Sequence, residues 1–140
     1  MTPSALLQQV GQLLGKADAW NLATVEPLVP DGSSRRFYRL RSKDQHLIAI
    51  LPPHNDARGL DEARAFWHIG NHLQAAAAPT PRMIAFDAAS GLALCEDLGG
   101  ERLYERLRDG GAEAARPLYE QTVRRLAHMQ VRAAAAFDPS

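Results

Sequence analysis

Leu6, Leu7, Val10, Leu13 and Leu14 recur at helical spacing and share one face of a predicted N-terminal helix. Thr2-Pro3 opens it with a capping hydroxyl and a proline at the first helical position, and Gly15 closes it. Between Val25 and Pro53 the period changes from helical to alternating. Glu26 to Pro30 reads as a strand that runs into the small turn residues Asp31-Gly32-Ser33-Ser34. Phe37, Tyr38 and Leu40 alternate with polar positions, Ser42 to Gln45 is a polar turn, and Leu47 to Leu51 is a short apolar run. Pro52-Pro53 stops this set of three antiparallel strands, and His54 to Gly59 forms a polar loop. Leu60, Ala63, Phe66, Trp67, Gly70 and Leu73 then predict an amphipathic helix over Leu60 to Ala75. Ala75 to Ala78 extends its pattern, and Pro79-Thr80-Pro81 ends it.

Met83 to Phe86 and Leu92 to Cys95 flank the turn Asp87 to Gly91, a second hairpin that brings the sheet to about five strands. Glu96-Asp97-Leu98-Gly99-Gly100 breaks the pattern with acids and glycines. Leu103 to Arg108 reads as a short helix closed by Asp109-Gly110-Gly111. Tyr119, Thr122, Leu126, Met129 and Ala133 mark a final helix, and Phe137 to Ser140 reads as the start of another loop. The expected class is α+β: an antiparallel sheet with a packed helix, followed by further helices.

A chain of 140 residues fits one domain, or one with an appendage. Its 46% hydrophobic and 23% charged content is that of a globular protein. Sixteen basic and sixteen acidic residues cancel, which argues against nucleic acid as the main partner. A single cysteine, Cys95, excludes an internal disulfide framework and fits a reducing compartment. No secretory pattern or membrane-length apolar run occurs, so a cytoplasmic location without a membrane partner is expected.

Four segments, DGSSRRFYRLR, LIAILPP, EARAFWHIGNHLQAAAAPTPRMIAFD and GLALCEDLGG, follow one another across most of Val29 to Gly100. Together they resemble the N-terminal lobe of kinase-like small-molecule phosphotransferases, the aminoglycoside phosphotransferase and choline kinase superfamily. Bacterial cell-wall sugar kinases acting on N-acetylmuramate and N-acetylglucosamine are especially similar in look, and TVRRLAHMQ resembles the first long helix of their C-terminal lobe. The resemblance implies a nucleotide-binding N-lobe over residues 1–97, then a hinge and the first helices of an incomplete C-lobe over 98–140.

It further implies that Asp31, Gly32, Ser33 and Ser34 cover the nucleotide phosphates. Small residues let backbone N–H groups approach phosphate oxygens, and Arg35 and Arg36 would add guanidinium donors. By itself the turn is an ordinary hairpin with two solvated arginines; the resemblance changes its reading. The adenine would be held at the hinge by the carbonyl of Glu96 and the N–H of Leu98, with Leu40, Ala49 and Leu94 sandwiching the ring. Glu96 and Asp97 are neighbours on a strand and point to opposite faces, which disfavours a paired-carboxylate acid/base site. ATP with Mg²⁺ is the implied cofactor pair, and a sugar hydroxyl the implied acceptor.

The chain departs from the family pattern at two places. Where the family carries a phosphate-contacting lysine on its third strand, this chain has Ile50 or a neighbour in LIAIL, none of them lysine, and the sugar-kinase branch likewise has an apolar residue there. Glu62 stands at the matching helix glutamate but lacks a lysine partner, so a solvated helix acid is an equal reading. The His-Gly-Asp-type loop that supplies the family's catalytic aspartate and metal ligands does not occur in Met1 to Ser140. The metal ligands are therefore expected only in the missing part of the C-lobe. The expectation is an ATP-binding portion, truncated before the catalytic loop and inactive alone, with possible association through the exposed lobe interface. The alternatives are a non-catalytic nucleotide- or protein-binding module, or a degenerate fragment.

Three smaller patterns carry less. His68 and His72 have zinc-helix spacing, but Ile69 stands where the metalloprotease pattern needs glutamate, so two exposed histidines are expected. Cys95 with His128 is a dyad by composition only. Phe66 and Trp67 lie on the apolar stripe and are expected in the core.

Overall fold

A computed structural model describes residues 2–29 and 32–135. Thr2 caps α1 (Pro3–Leu13), its Oγ1 accepting the Ala5 N–H at 3.3 Å. Leu6, Leu7 and Val10 are buried, while Leu13 and Leu14 pack at the margin of the same cluster. Gly15 follows in the left-handed region, φ 63°, as a helix terminator should. The next element was not anticipated. α2 (Ala17–Trp20) is a single turn whose Trp20 is 1% exposed and belongs to the core beneath α1.

The sheet holds five antiparallel strands in the order β1-β2-β3-β5-β4: β1 (Thr24–Leu28), β2 (Arg36–Arg41), β3 (His46–Leu51), β4 (Met83–Asp87) and β5 (Leu92–Glu96). β1 starts and ends earlier than the pattern suggested, and as an edge strand it tolerates Pro27, which has no N–H for a ladder. Pro30 and Asp31 lie outside the described residues.

Strand alternation sorts the side chains onto two faces. Leu40, Leu47, Ala49, Leu51, Leu92 and Leu94 form the main core with α1 and Trp20. Phe37, Ile48, Ile50, Ala93 and Cys95 line the other face, packed with Phe66 of α3 (Ala57–Ala75). A register shift between Met83 and Ala85 lets Met83 and Phe86 both join this second cluster, and Phe86 stacks on Trp67 with centroids 5.5 Å apart. The expected core pair Phe66–Trp67 is thus half-buried, at the edge of that cluster.

α3 begins at Ala57, three residues earlier than its apolar stripe predicts. The cause is Asp56, whose carboxylate accepts the Gly59 N–H at 2.8 Å and so caps a turn that composition marks as loop. The helix stops at Ala75, short of the alanine run. Ala77 N–H donates to the Gln74 carbonyl and Ala78 N–H to the Leu73 carbonyl, the paired bonds of a Schellman cap, with Ala77 at φ 56°.

Among the described residues, those up to Gly70 with Pro81–Asp97 form one compact unit, and Asn71–Thr80 with those from Leu98 onward form another. α4 (Leu103–Ala135) belongs to the second. It is broken at Gly111 (φ 73°, ψ 175°), the glycine expected to close the short helix. The expected final helix starts sooner than its apolar positions indicated. Val123, Leu126 and Val131 on it are well exposed. No helix among the described residues is long and apolar enough to cross a membrane.

Candidate nucleotide-binding site

The turn before β2 and the end of β5 lie at opposite ends of the same strands. Arg36 pairs with Leu51 and Glu96 with Leu47, four residues apart on β3. At about 3.4 Å per residue along the strands and about 4.8 Å per strand across the sheet, Arg36 and Glu96 are separated by roughly 17 Å. Between them, on the α3 side, run two rows of side chains: Phe37, Ile50 and Ala93 nearer the turn, and Arg39, Ile48 and Cys95 nearer Glu96.

Gly32 has φ 72°, a conformation that excludes most side chains, and a Cβ there would meet nothing within 4 Å, so its backbone is open to approach. Ser33 Oγ accepts the Arg35 N–H at 3.2 Å, a local bond that shapes the turn. The exposed Ser34 completes the described part of the loop.

The two arginines part company. Arg35 lies over the rings of Phe66 and Phe37, 5.1 and 5.8 Å from their centroids. With Ile50 and Glu62 it lines a crevice of about 10 Å³, room for one water at most. Arg36 instead donates from Nη2 to the Pro52 carbonyl at 3.2 Å, and its Nε is enclosed without an acceptor. Arg36 therefore holds the end of β3, and Arg35 is the cation beside Ile50. Glu62 does not pair with a strand cation; it accepts from Arg58 Nε at 3.0 Å one turn earlier, on an exposed face.

The expected ring sandwich is corrected. Leu40, Ala49 and Leu94 are each 0% exposed in the core under α1, so none has surface to offer a purine. The residue of β3 that shares the face of Ile50 is Ile48, half-buried and opposite Arg39. Alternation alone would have found it, since positions 48 and 50 share a face and 49 does not.

The two acids at the end of β5 also diverge. Glu96 accepts the Arg82 N–H at 3.1 Å, and its own N–H donates to the Arg82 carbonyl at 2.9 Å. Asp97 accepts from Arg39 Nε at 2.8 Å, an ion pair with side chains 12% and 6% exposed. β3 lies between β2, which carries Arg39, and β5, whose last residue precedes Asp97, so Arg39 reaches across it. Sequence reasoning missed Arg39 altogether. Leu98, the other expected hinge contact, is exposed.

Cys95 is 5% exposed, and its thiol is pushed up to about 11 by burial first, then by the nearby charges of Asp97 and Glu96. A thiol kept protonated is no nucleophile. His68 is exposed, whereas His72 is engaged through Nε2 with the Ala133 carbonyl at 3.0 Å. Among the described residues no three His, Cys, Asp or Glu side chains converge to hold a metal ion. Glu62, Glu96 and Asp97 are each tied to an arginine, so the residues at this site do not fit Mg²⁺. A hollow of about 550 Å³ lies wholly within the second unit and is walled by exposed charges such as Glu101 and Arg106 that pair with one another. None of the residues expected at the site lines it. No family model matches the chain, and no curated protein matches it.

Proposed function

We propose that the chain binds a nucleotide of the ATP class along the α3-side face of its sheet, as the nucleotide-holding part of a small-molecule phosphotransferase acting on a sugar hydroxyl. The phosphates lie at Gly32–Ser34 and the purine at the backbone carbonyl of Glu96. The observation that carries this reading is the strand register. It sets the start of β2, just past an open glycine turn, roughly 17 Å from the end of β5, on the order of the length of an extended nucleoside triphosphate. A kinase-like N-lobe is the fold this reading adopts.

Arg35 supplies the positive charge that Ile50 lacks. Its seat on two aromatic rings orients a planar donor fork beside the turn. The crevice beneath Arg35 is too small for a phosphate, so the phosphates sit over the turn rather than in it. Ile48, not Ala49, meets the ring. The base and metal ligands that phosphoryl transfer requires are not supplied by these residues, and no chemical step is assigned to them.

Thermal denaturation with and without MgATP tests the reading. A ligand at about a hundred times its Kd adds about 2.7 kcal/mol of stability. An unchanged Tm at millimolar MgATP, with sodium tripolyphosphate equally silent, removes the nucleotide claim for this chain.

A further inference from the structure

We infer that Phe66 of α3 is a positioning residue for phosphate recognition, acting through Arg35; the inference rests on the phosphate half of the nucleotide reading above. It makes α3 part of the phosphate site through an aromatic ring rather than through a carboxylate.

Arg35 is tied to the turn along its inner edge. Its backbone N–H donates to Ser33 Oγ at 3.2 Å, and its Nε lies 3.5 Å from the same oxygen. Among the described residues, neither terminal amino group of Arg35 has a hydrogen-bond or ion-pair partner, so the outer half of the donor fork is unspent. What holds that half is aromatic. A ring attracts the cation without taking a hydrogen bond from it or cancelling its charge, as a carboxylate would.

Of the three contacts, Ser33 and Phe37 come from the same stretch of chain as Arg35, and only Phe66 comes from another element. It is also the nearer ring, at 5.1 Å against 5.8 Å. Phe66 is anchored in turn, packed on the cluster of Ile50, Ala93 and Cys95. Glu62, one turn earlier on α3, is the one acid lining the crevice beneath Arg35, and Arg58 engages it at 3.0 Å. The helix thus bears on the fork through its ring, while its carboxylate is occupied elsewhere. Without that ring the long side chain would have to be ordered when a ligand binds, which lowers affinity.

Calorimetric titration with MgATP and with sodium tripolyphosphate tests this on the wild-type chain, Phe66→Leu, Phe66→Met, Phe66→Tyr, Arg35→Met and the double variant Phe66→Leu/Arg35→Met. Phe66→Met replaces Phe66→Leu, singly and in the double variant, if the leucine chain does not fold. Loss of the ring should weaken both ligands by about threefold to tenfold, the range a cation's aromatic seat carries. Phe66→Tyr keeps the ring and should bind as the wild type does. In the Arg35→Met background the change at Phe66 should cost nothing more, because the group it positions is gone. A mere packing role would follow side-chain volume, sparing Phe66→Met, and would add to the effect of Arg35→Met. Where Arg35→Met binds too weakly to measure, the comparison of Met with Tyr at position 66 decides. Equal losses in both backgrounds, wild-type affinity in Phe66→Met, or a loss confined to MgATP overturns the inference and leaves the nucleotide reading standing. Silence of the wild-type chain toward both ligands overturns both.

Discussion

Replacing Ala77 with glycine should stabilise the protein. Ala77 occupies the left-handed position of the cap that ends α3, with φ 56°, the only described non-glycine residue at positive φ. An L-residue there holds its Cβ too close to the following carbonyl, at a cost of roughly 1–2 kcal/mol. Glycine removes that strain but gives the unfolded chain more freedom, which offsets about 0.4–1 kcal/mol. The methyl group of Ala77 is exposed, so its loss sacrifices no packing, and both cap bonds use backbone groups that glycine keeps. The net gain is about 0.5–1 kcal/mol, which for a chain of 140 residues corresponds to about 2–4 °C in Tm. Thermal denaturation of Ala77→Gly, beside Ala76→Gly and Ala78→Gly, checks it. The two flanking positions lack positive φ, so glycine there should cost roughly 0.5–1 kcal/mol. A lower or unchanged Tm for Ala77→Gly would refute the strain argument, most clearly if all three variants behaved alike.

Three other outcomes follow from the same geometry. The folded protein should resist thiol reagents at pH 8 and react once denatured, because the Cys95 thiol is pushed up to about 11. Stability should then fall between pH 9 and 11, where the unfolded thiol ionises and the folded one does not, by on the order of 2–3 kcal/mol in urea titrations. Asp87 moves the other way. The Ser90 hydroxyl, followed by the Ala89 N–H and Gln9, holds its carboxyl below 3.8, so its contribution is intact above that pH and disappears as pH falls through the folded value. Acid denaturation of Ser90→Ala should show a shallower pH dependence below 3.8. Finally, Leu94→Ala should cost about 2–5 kcal/mol in denaturant unfolding without changing the ATP-to-tripolyphosphate affinity ratio, since its side chain is wholly inside the α1-side core.

How much of this could be read from the sequence depended on how local each cause is. α1 was legible because its cap, its stripe and its terminating glycine all fall within fifteen residues and agree. The strands were legible as elements for the same reason. Their faces were not: LIAIL is apolar throughout, so no polar position marks which residues turn toward α1, and Ala49 was read onto the wrong side. α2 is four residues long, too short to show a period, and only the burial of Trp20 reveals it. Asp56 was hidden among loop residues because a cap looks like a loop by composition. The tie between Arg39 and Asp97 joins residues 58 apart across an intervening strand, and nothing local to either announces it.

That tie also weighs on what the acids at the end of β5 are for. Most ion pairs in the described chain sit on helix surfaces, where water competes and each contributes about 0–1 kcal/mol. Arg39–Asp97 is different, because both side chains have left water. Taking two charges out of water costs about what their attraction returns, so an apolar pair of similar volume would hold β2 to β5 equally well. Net stability therefore does not explain why charge stands here. Direction does: a guanidinium–carboxylate contact fixes an orientation, which an apolar contact leaves loose.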